Sequence, residues 1–223
     1  MTNNGINYQR ELDIFNPEDY ADSTIHIIGD GGIGSFVCVA LSKLGLKTIV
    51  WDGDKVELHN VPNQFHLVKA VGISKVKATA ALVRQLANIK IDTREKMWEG
   101  EKLSGIVISA VDSMAERKKI WDRVKADPDV LLLIDGRIGG ETIEVVSICP
   151  VNDAFLYGWY EERKLFDESE AAKLPCTARS IIDVGFMISA IITRLVRGFL
   201  KNGEVMHDII VSMADLSLQK VIL

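Results

Sequence analysis

A glycine-rich stretch, Gly29-Asp30-Gly31-Gly32-Ile33-Gly34, stands directly between a short apolar run at residues 24–28 and a helical pattern at residues 33–44. Glycines there let the backbone approach phosphate oxygens closely, and the free amides that open the helix, aided by its dipole, favour an anion. Gly29, Gly31, Gly32 and Gly34 are therefore candidate nucleotide-binding residues, although a tight strand-to-helix turn without a ligand would use the same glycines. Asp52 ends the next apolar run, residues 48–51, where a carboxylate can accept hydrogen bonds from ribose hydroxyls. That much suits NAD as well as ATP. The segment that follows, Asp52-Gly53-Asp54-Lys55-Val56-Glu57-Leu58-His59-Asn60-Val61-Pro62-Asn63-Gln64, is crowded with acids and amides that a dehydrogenase does not need. Lys75 then opens a helix behind Gly72-Ile73-Ser74, and Asp112-Ser113 closes a strand. A phosphate loop, a lysine to neutralise phosphate charge and an isolated carboxylate to hold a metal together suit Mg-ATP. Asp112 is the candidate magnesium ligand.

These residues need a scaffold that brings distant segments to one place, and the pattern supplies one. Apolar runs at 24–28, 48–51, 106–110 and 131–134 alternate with helical patterns at 33–44, 74–86 and 113–125. Gly45 stands where the first helix needs a left-handed cap. Strand and helix in alternation imply an α/β, Rossmann-like, mostly parallel sheet with helices on both faces. In such a sheet the C-terminal ends of the strands line one crevice, so Gly31, Asp52 and Asp112 are expected to converge. Beyond Asp135 the pattern changes: a strand at 142–148, a charged segment at 161–173, a long helix at 177–201 and an edge strand at 208–213 form a C-terminal elaboration. One domain is expected over residues 1–223, divided into an arm at 1–22, a nucleotide-binding half at 23–135 and the elaboration at 136–223.

Composition narrows the function classes. The 223 residues are 48% hydrophobic and 26% charged, which excludes global disorder and gives a chain large enough for a real core. A net charge of −5 argues against a nucleic-acid-binding surface. The most apolar stretch, near residues 181–200, is broken by Asp183, Arg194 and Arg197, so a buried helix is expected rather than a membrane span. The amino terminus has no apolar stretch of the kind a secretory signal uses. Three cysteines without a CxxC pair suit the cytoplasm and give no basis for structural zinc. Cys38 and Cys149 are expected in the core, while His59, His66 and His207 lack ligand spacing and are expected at the surface or in supporting positions.

The ordered set GDGGIGS, WDGDKVELHN, GISK and SAVDS resembles the ThiF/MoeB/HesA family of ATP-dependent activating enzymes. Fainter similarity reaches Tyr8-Gln9-Arg10, Ile134-Asp135-Gly136-Arg137 and Pro175-Cys176-Thr177, so the likeness covers most of the chain. It implies adenylation of the C-terminal carboxylate of a small ubiquitin-like or sulfur-carrier-like protein or peptide. By matching position, the glycines would form the phosphate loop, Asp52 would bind ribose, Asn60 and Lys75 would contact phosphates, and Asp112 would take Mg²⁺. Asp54, Asn63, Gln64 and Ser113 belong to the same nucleotide-binding segments. The family resemblance further implies a homodimer in which Arg10 reaches the partner's ATP, and makes Cys176 a candidate thioester-forming nucleophile, its thiolate favoured by a helix N-terminus and by Arg179. A chain of this length leaves later transfer to Cys176, to another protein, or to nothing.

One departure stands out. The family's loop reads Asn-x-x-Arg-Gln, whereas here it is Asn60-Val61-Pro62-Asn63-Gln64, with a neutral amide in place of a phosphate-binding arginine. A charge-assisted contact of about 1.5–3 kcal/mol is at stake, equivalent to one to two decades in rate. Arg10, Lys77 and Arg137 are the cations that could replace it, Arg137 by facing the crevice from a strand end. Two other readings follow: a non-catalytic nucleotide-binding subunit, which Asn63 suits, and an NAD-dependent oxidoreductase, which leaves Asn60, Lys75 and Asp112 unexplained.

Overall fold

The computed structural model describes residues 5–150, 154–166 and 181–221. Short apolar runs become largely buried strands because both sides of the sheet are covered and no polar face is needed. These are β1 (Ile25–Ile28), β2 (Ile49–Trp51), β4 (Gly105–Ser109) and β5 (Val130–Gly139), with a polar three-residue strand, β3 (Asp92–Arg94), beside β2. The chain continues through β6 (Thr142–Ile148), β7 (Asp208–Ser212) and β8 (Ser217–Val221). The sheet has eight strands in the order β3-β2-β1-β4-β5-β6-β7-β8. Pairings from β3 to β5 are parallel, and those from β5 to β8 are antiparallel. The order reverses between β1 and β4, which is where a doubly wound sheet opens its ligand crevice.

Alternate strand residues feed two apolar layers. Ile25, Ile27, Ile106, Ile108, Leu132 and Ile134 pack against three helices, α1 (Gly34–Lys43), α2 (Lys75–Ala87) and α5 (Ile182–Asn202). Ile28, Trp51, Val107 and Leu133 pack on the opposite face against α3 (Met114–Val124) and α4 (Ala154–Lys164). The expected α/β sheet with helices on both faces and a C-terminal elaboration is therefore what forms. No helix among the described residues is long and apolar enough to cross a membrane. Cys38 is wholly buried and Cys149, just past β6, is half-buried against the same core.

Three expectations change. The strand expected to end at Ile134 continues through Asp135, Gly136 and Arg137 to Gly139, so the division at residue 135 falls inside β5. Charge did not end the strand because Asp135 and Arg137 are paired with each other on the α3 and α4 side. The expected edge strand at 208–213 is β7, an interior strand, and the edge is β8, whose five residues are all exposed. The charged segment begins inside α4, whose Leu156 and Tyr160 are buried. The arm is anchored: Tyr8 and Phe15 are buried, and Phe15 stacks on Tyr20 at 4.8 Å.

Candidate functional site

The glycine loop is shaped from below and open above. Gly29 has φ +96°, and a Cβ there would lie 2.6 Å from the carbonyl oxygen of Ala110, just past β4. A Cβ on Gly34 would collide with the Gly29 carbonyl, so the pair fixes how closely α1 approaches β1. Gly31 and Gly32 face only the Gln64 amide, at 3.7 Å, and the Asn63 carbonyl, at 3.5 Å. Loop and polar segment are stitched together by Ser35, whose hydroxyl donates to the Gly31 carbonyl at 2.6 Å and accepts from the Phe65 amide at 3.0 Å. His66 Nε2 donates to the Asp30 carbonyl at 3.2 Å, and burial holds its pKa below the ordinary value. Neither Ser35 nor His66 was singled out as a site residue from sequence; both act on backbone atoms, which leave no trace in residue type.

Asp52 is the hub. Its Oδ2 accepts the Asp30 amide and its Oδ1 the Asp54 amide, both at 2.8 Å, so one carboxylate at the end of β2 braces the glycine loop and the turn beyond it. Each oxygen keeps a lone pair for a ligand hydroxyl. Lys75, the first residue of α2 and 8% exposed, donates to Asp54 Oδ2 at 2.8 Å and lies 3.8 Å from Asp52 Oδ2. Burial works to lower its pKa, but the hydrogen bond to Asp54 and the charges of Asp52, Asp54 and Asp30 outweigh this and raise it. A cation opposes the helix dipole at that position, so propensity does not explain it. Asn60 is 9% exposed; its Oδ1 accepts the Glu57 amide, which leaves its amide protons for a ligand. The side-chain oxygens of Asn63 and Gln64 are buried with no hydrogen-bond partner.

Asp112 is exposed in the turn between β4 and α3, on the other side of the glycine loop from Asp52. Ser113 caps α3 by accepting the Glu116 amide at 3.4 Å. Gly29, Gly31, Gly32, Gly34, Asp52, Asp54, Asn60, Asn63, Gln64 and Lys75 are thus brought together around the strand ends, with Asp112 and Ser113 flanking them. Residues 8–199, which include this constellation, match the ThiF family. The chain belongs to the ThiF family. Its relatives include ubiquitin-like modifier-activating enzyme 5 of Drosophila pseudoobscura pseudoobscura, 40% identical over 145 residues that make up 65% of this chain and 32% of that protein. The same enzyme of Branchiostoma floridae is 38% identical over 125 residues, 47% of this chain and 31% of that protein. The chain spans about a third of the length of these relatives. Among solved structures it is similar to PaaA, with a TM-score of 0.72 and 20% identity over 92% of this chain and 65% of that one. It is also similar to E. coli MccB solved with AMPCPP and MccA, with a TM-score of 0.70, 15% identity and the same coverages. At these identities the structures share the fold.

The ThiF chain's own cations bear on Asn63. Arg137 does not face the crevice: it is 9% exposed, donates to Asp135 Oδ2 from Nε at 2.8 Å and Nη2 at 2.6 Å, and reaches Glu144 at 3.3 Å. Lys77 pairs with Glu95 at 2.8 Å on an exposed part of α2. Arg10 is exposed on the arm, whose Tyr8 and Pro17 pack near Gly45 beyond the far end of α1, so it does not join its own chain's loop. Two of the three expected substitutes for the missing arginine are therefore committed elsewhere. Cys176, with Pro175 and Thr177, lies outside the described residues.

Proposed function

We propose that this chain is an adenylating enzyme that uses ATP to activate the C-terminal carboxylate of a small ubiquitin-like or sulfur-carrier-like protein or peptide. The observation that carries the reading is the Asp52 hub, which ties the glycine loop to the turn holding Lys75 at the switch point of the sheet. In the reaction a carboxylate oxygen bonds to the α-phosphorus of ATP as the bond from that phosphorus to the bridging oxygen of pyrophosphate breaks. The products are an acyl-adenylate and pyrophosphate. The amides of the loop and of the α1 N-terminus receive phosphate oxygens, and Asp52 accepts the ribose hydroxyls. Lys75 exchanges Asp54 for a phosphate, and Asn60 donates its amide protons to the same groups. Asp112 is an exposed hard-oxygen donor at a strand end, which fits Mg²⁺, an ion that takes one or two carboxylates beside substrate phosphates. Bound there, the ion supplies charge neutralisation for the leaving pyrophosphate. The solved MccB with AMPCPP and MccA, a similar fold, lends support to a nucleotide and a small partner.

Because Lys75, Lys77 and Arg137 are each paired with carboxylates, the reading includes a homodimer in which Arg10 of a second copy supplies the charge that Asn63 lacks. Transfer of the activated acyl group to Cys176 as a thioester is its last part, tested by a thiol-labile adduct that Cys176→Ala removes. The test of the whole is calorimetry with AMPCPP and Mg²⁺, followed by ATP–pyrophosphate exchange with a synthetic peptide ending in Gly-Gly. Lys75→Ala is expected to weaken AMPCPP at least about tenfold, and NAD to give no heat. NAD binding in preference to AMPCPP would overturn the reading. The Lys75–Asp54 pair together with Asn63 favours, as second reading, a subunit that holds nucleotide without turnover. That reading requires AMPCPP binding with no exchange, even in Asn63→Arg.

A further inference from the structure

The turn that carries Asp112 rests on a buried charge cluster. Arg117, in the first two turns of α3 and 6% exposed, donates from Nη2 to the carbonyl oxygen of Val111, the residue before Asp112. Its Nη1 donates to Asp135 Oδ1. Asp135 is wholly buried on β5, in register with Ser109 at the end of β4. Its Oδ2 accepts from Arg137 and, at 2.9 Å, from the hydroxyl of Tyr160 on α4. Burial opposes the charged carboxyl, but Arg117 and Arg137 hold its pKa below the ordinary value. Buried ion pairs give little net stability over apolar packing of the same volume, so stability alone does not account for the cluster. Geometry does. A planar guanidinium held between a carbonyl and a fixed carboxylate permits one orientation, and this sets the direction in which the chain leaves β4 at Asp112.

We propose that Arg117 and Asp135 are positioning residues for the Asp112 carboxylate, with Tyr160 as the support that fixes Asp135 from α4. The inference rests on the reading of Asp112 as the magnesium ligand. Supports behind a metal ligand act on metal affinity, and their loss costs about 10–100-fold. The experiment is thermal unfolding of the full chain with ATP alone and with ATP across a Mg²⁺ titration, for wild type, Asp112→Asn, Arg117→Lys and Tyr160→Phe. Asp112→Asn is expected to keep the shift from ATP alone and lose the increment from Mg²⁺. Arg117→Lys keeps the charge but reaches only one of the two partners, so its half-saturating Mg²⁺ is expected to rise about tenfold while the shift from ATP alone stays unchanged. Tyr160→Phe is expected to move the same midpoint by about twofold to threefold, and it carries the test if Arg117→Lys does not fold. A variant that melts lower but titrates with Mg²⁺ like wild type would show a merely structural role and overturn the proposal. If Asp112→Asn loses the Mg²⁺ increment and the supports do not matter, this inference alone falls. If Asp112→Asn titrates like wild type, the metal reading falls with it.

Discussion

A carboxyl group shut away from water is an unexpected component of a glycine loop, and Asp30 is one: it is 0% exposed and neither oxygen has a hydrogen-bond partner among the described residues. Burial raises its pKa well above the ordinary 3.8; Thr79 and Lys75 oppose that shift and Asp52 adds to it. Above the ordinary value the unfolded chain releases this proton while the folded chain keeps it, so stability declines as the pH rises until the folded-state pKa is passed. Asp30→Asn has no proton to hold. It is therefore expected to exceed wild type by about 1–3 kcal/mol at pH 7 in urea unfolding, with the gap closing toward pH 4. Equal stabilities at pH 7 would mean the carboxyl is satisfied. The glycines divide in the same spirit. Gly34→Ala, whose Cβ meets the Gly29 backbone, is expected to lose about 3 kcal/mol. Gly31→Ala has its nearest neighbour at 3.7 Å, so it is expected to melt like wild type yet bind AMPCPP at least about tenfold more weakly. The motif glycines were legible as a set, but which hold the fold and which face the ligand is a matter of neighbouring backbone and could not be read from sequence.

Elements were legible where burial is two-sided. β1, β2, β4 and the first half of β5 are mostly apolar runs, and the helices between them carry the matching periodicity. β3 and β8 escaped notice because three polar residues at one edge and five exposed residues at the other leave no apolar pattern. The second half of β5 was hidden for a different reason: Asp135 and Arg137 look like the end of a strand unless their partners on α3, α4 and β6 are known. Arg137 lies between Asp135 and Glu144, while Lys164 joins Glu144 to Asp208 on β7, each at 2.7 Å. Arg137→Met removes the middle cation and leaves both carboxylates short of a partner. It is expected to cost about 3–5 kcal/mol in urea unfolding and to speed amide exchange in α4 before that in α1. Uniform exchange in both helices would show that the cluster does not hold α4 separately.

At the scale of the whole molecule, the proposed dimer turns on where one copy places its described cations. Among the described residues Lys75 is the cation at the loop and is shared with Asp54 and Asp52, while Arg10 lies on the arm beyond the other end of α1. If the site is completed across a dimer, Lys75 and Arg10 serve one ATP from two different chains. Arg10→Ala and Lys75→Ala homodimers are then both expected to be inactive in pyrophosphate exchange, because each lacks one of the two charges at both sites. Mixing them and allowing exchange of subunits pairs an intact Lys75 from one chain with an intact Arg10 from the other. Half of the dimers are mixed and each holds one complete site, so about a quarter of wild-type activity is expected to return. A chain that used its own Arg10 would recover nothing on mixing, since no subunit carries both residues. An Arg10→Ala protein that exchanges at the wild-type rate would leave the charge at Asn63 to be supplied by the activated partner instead.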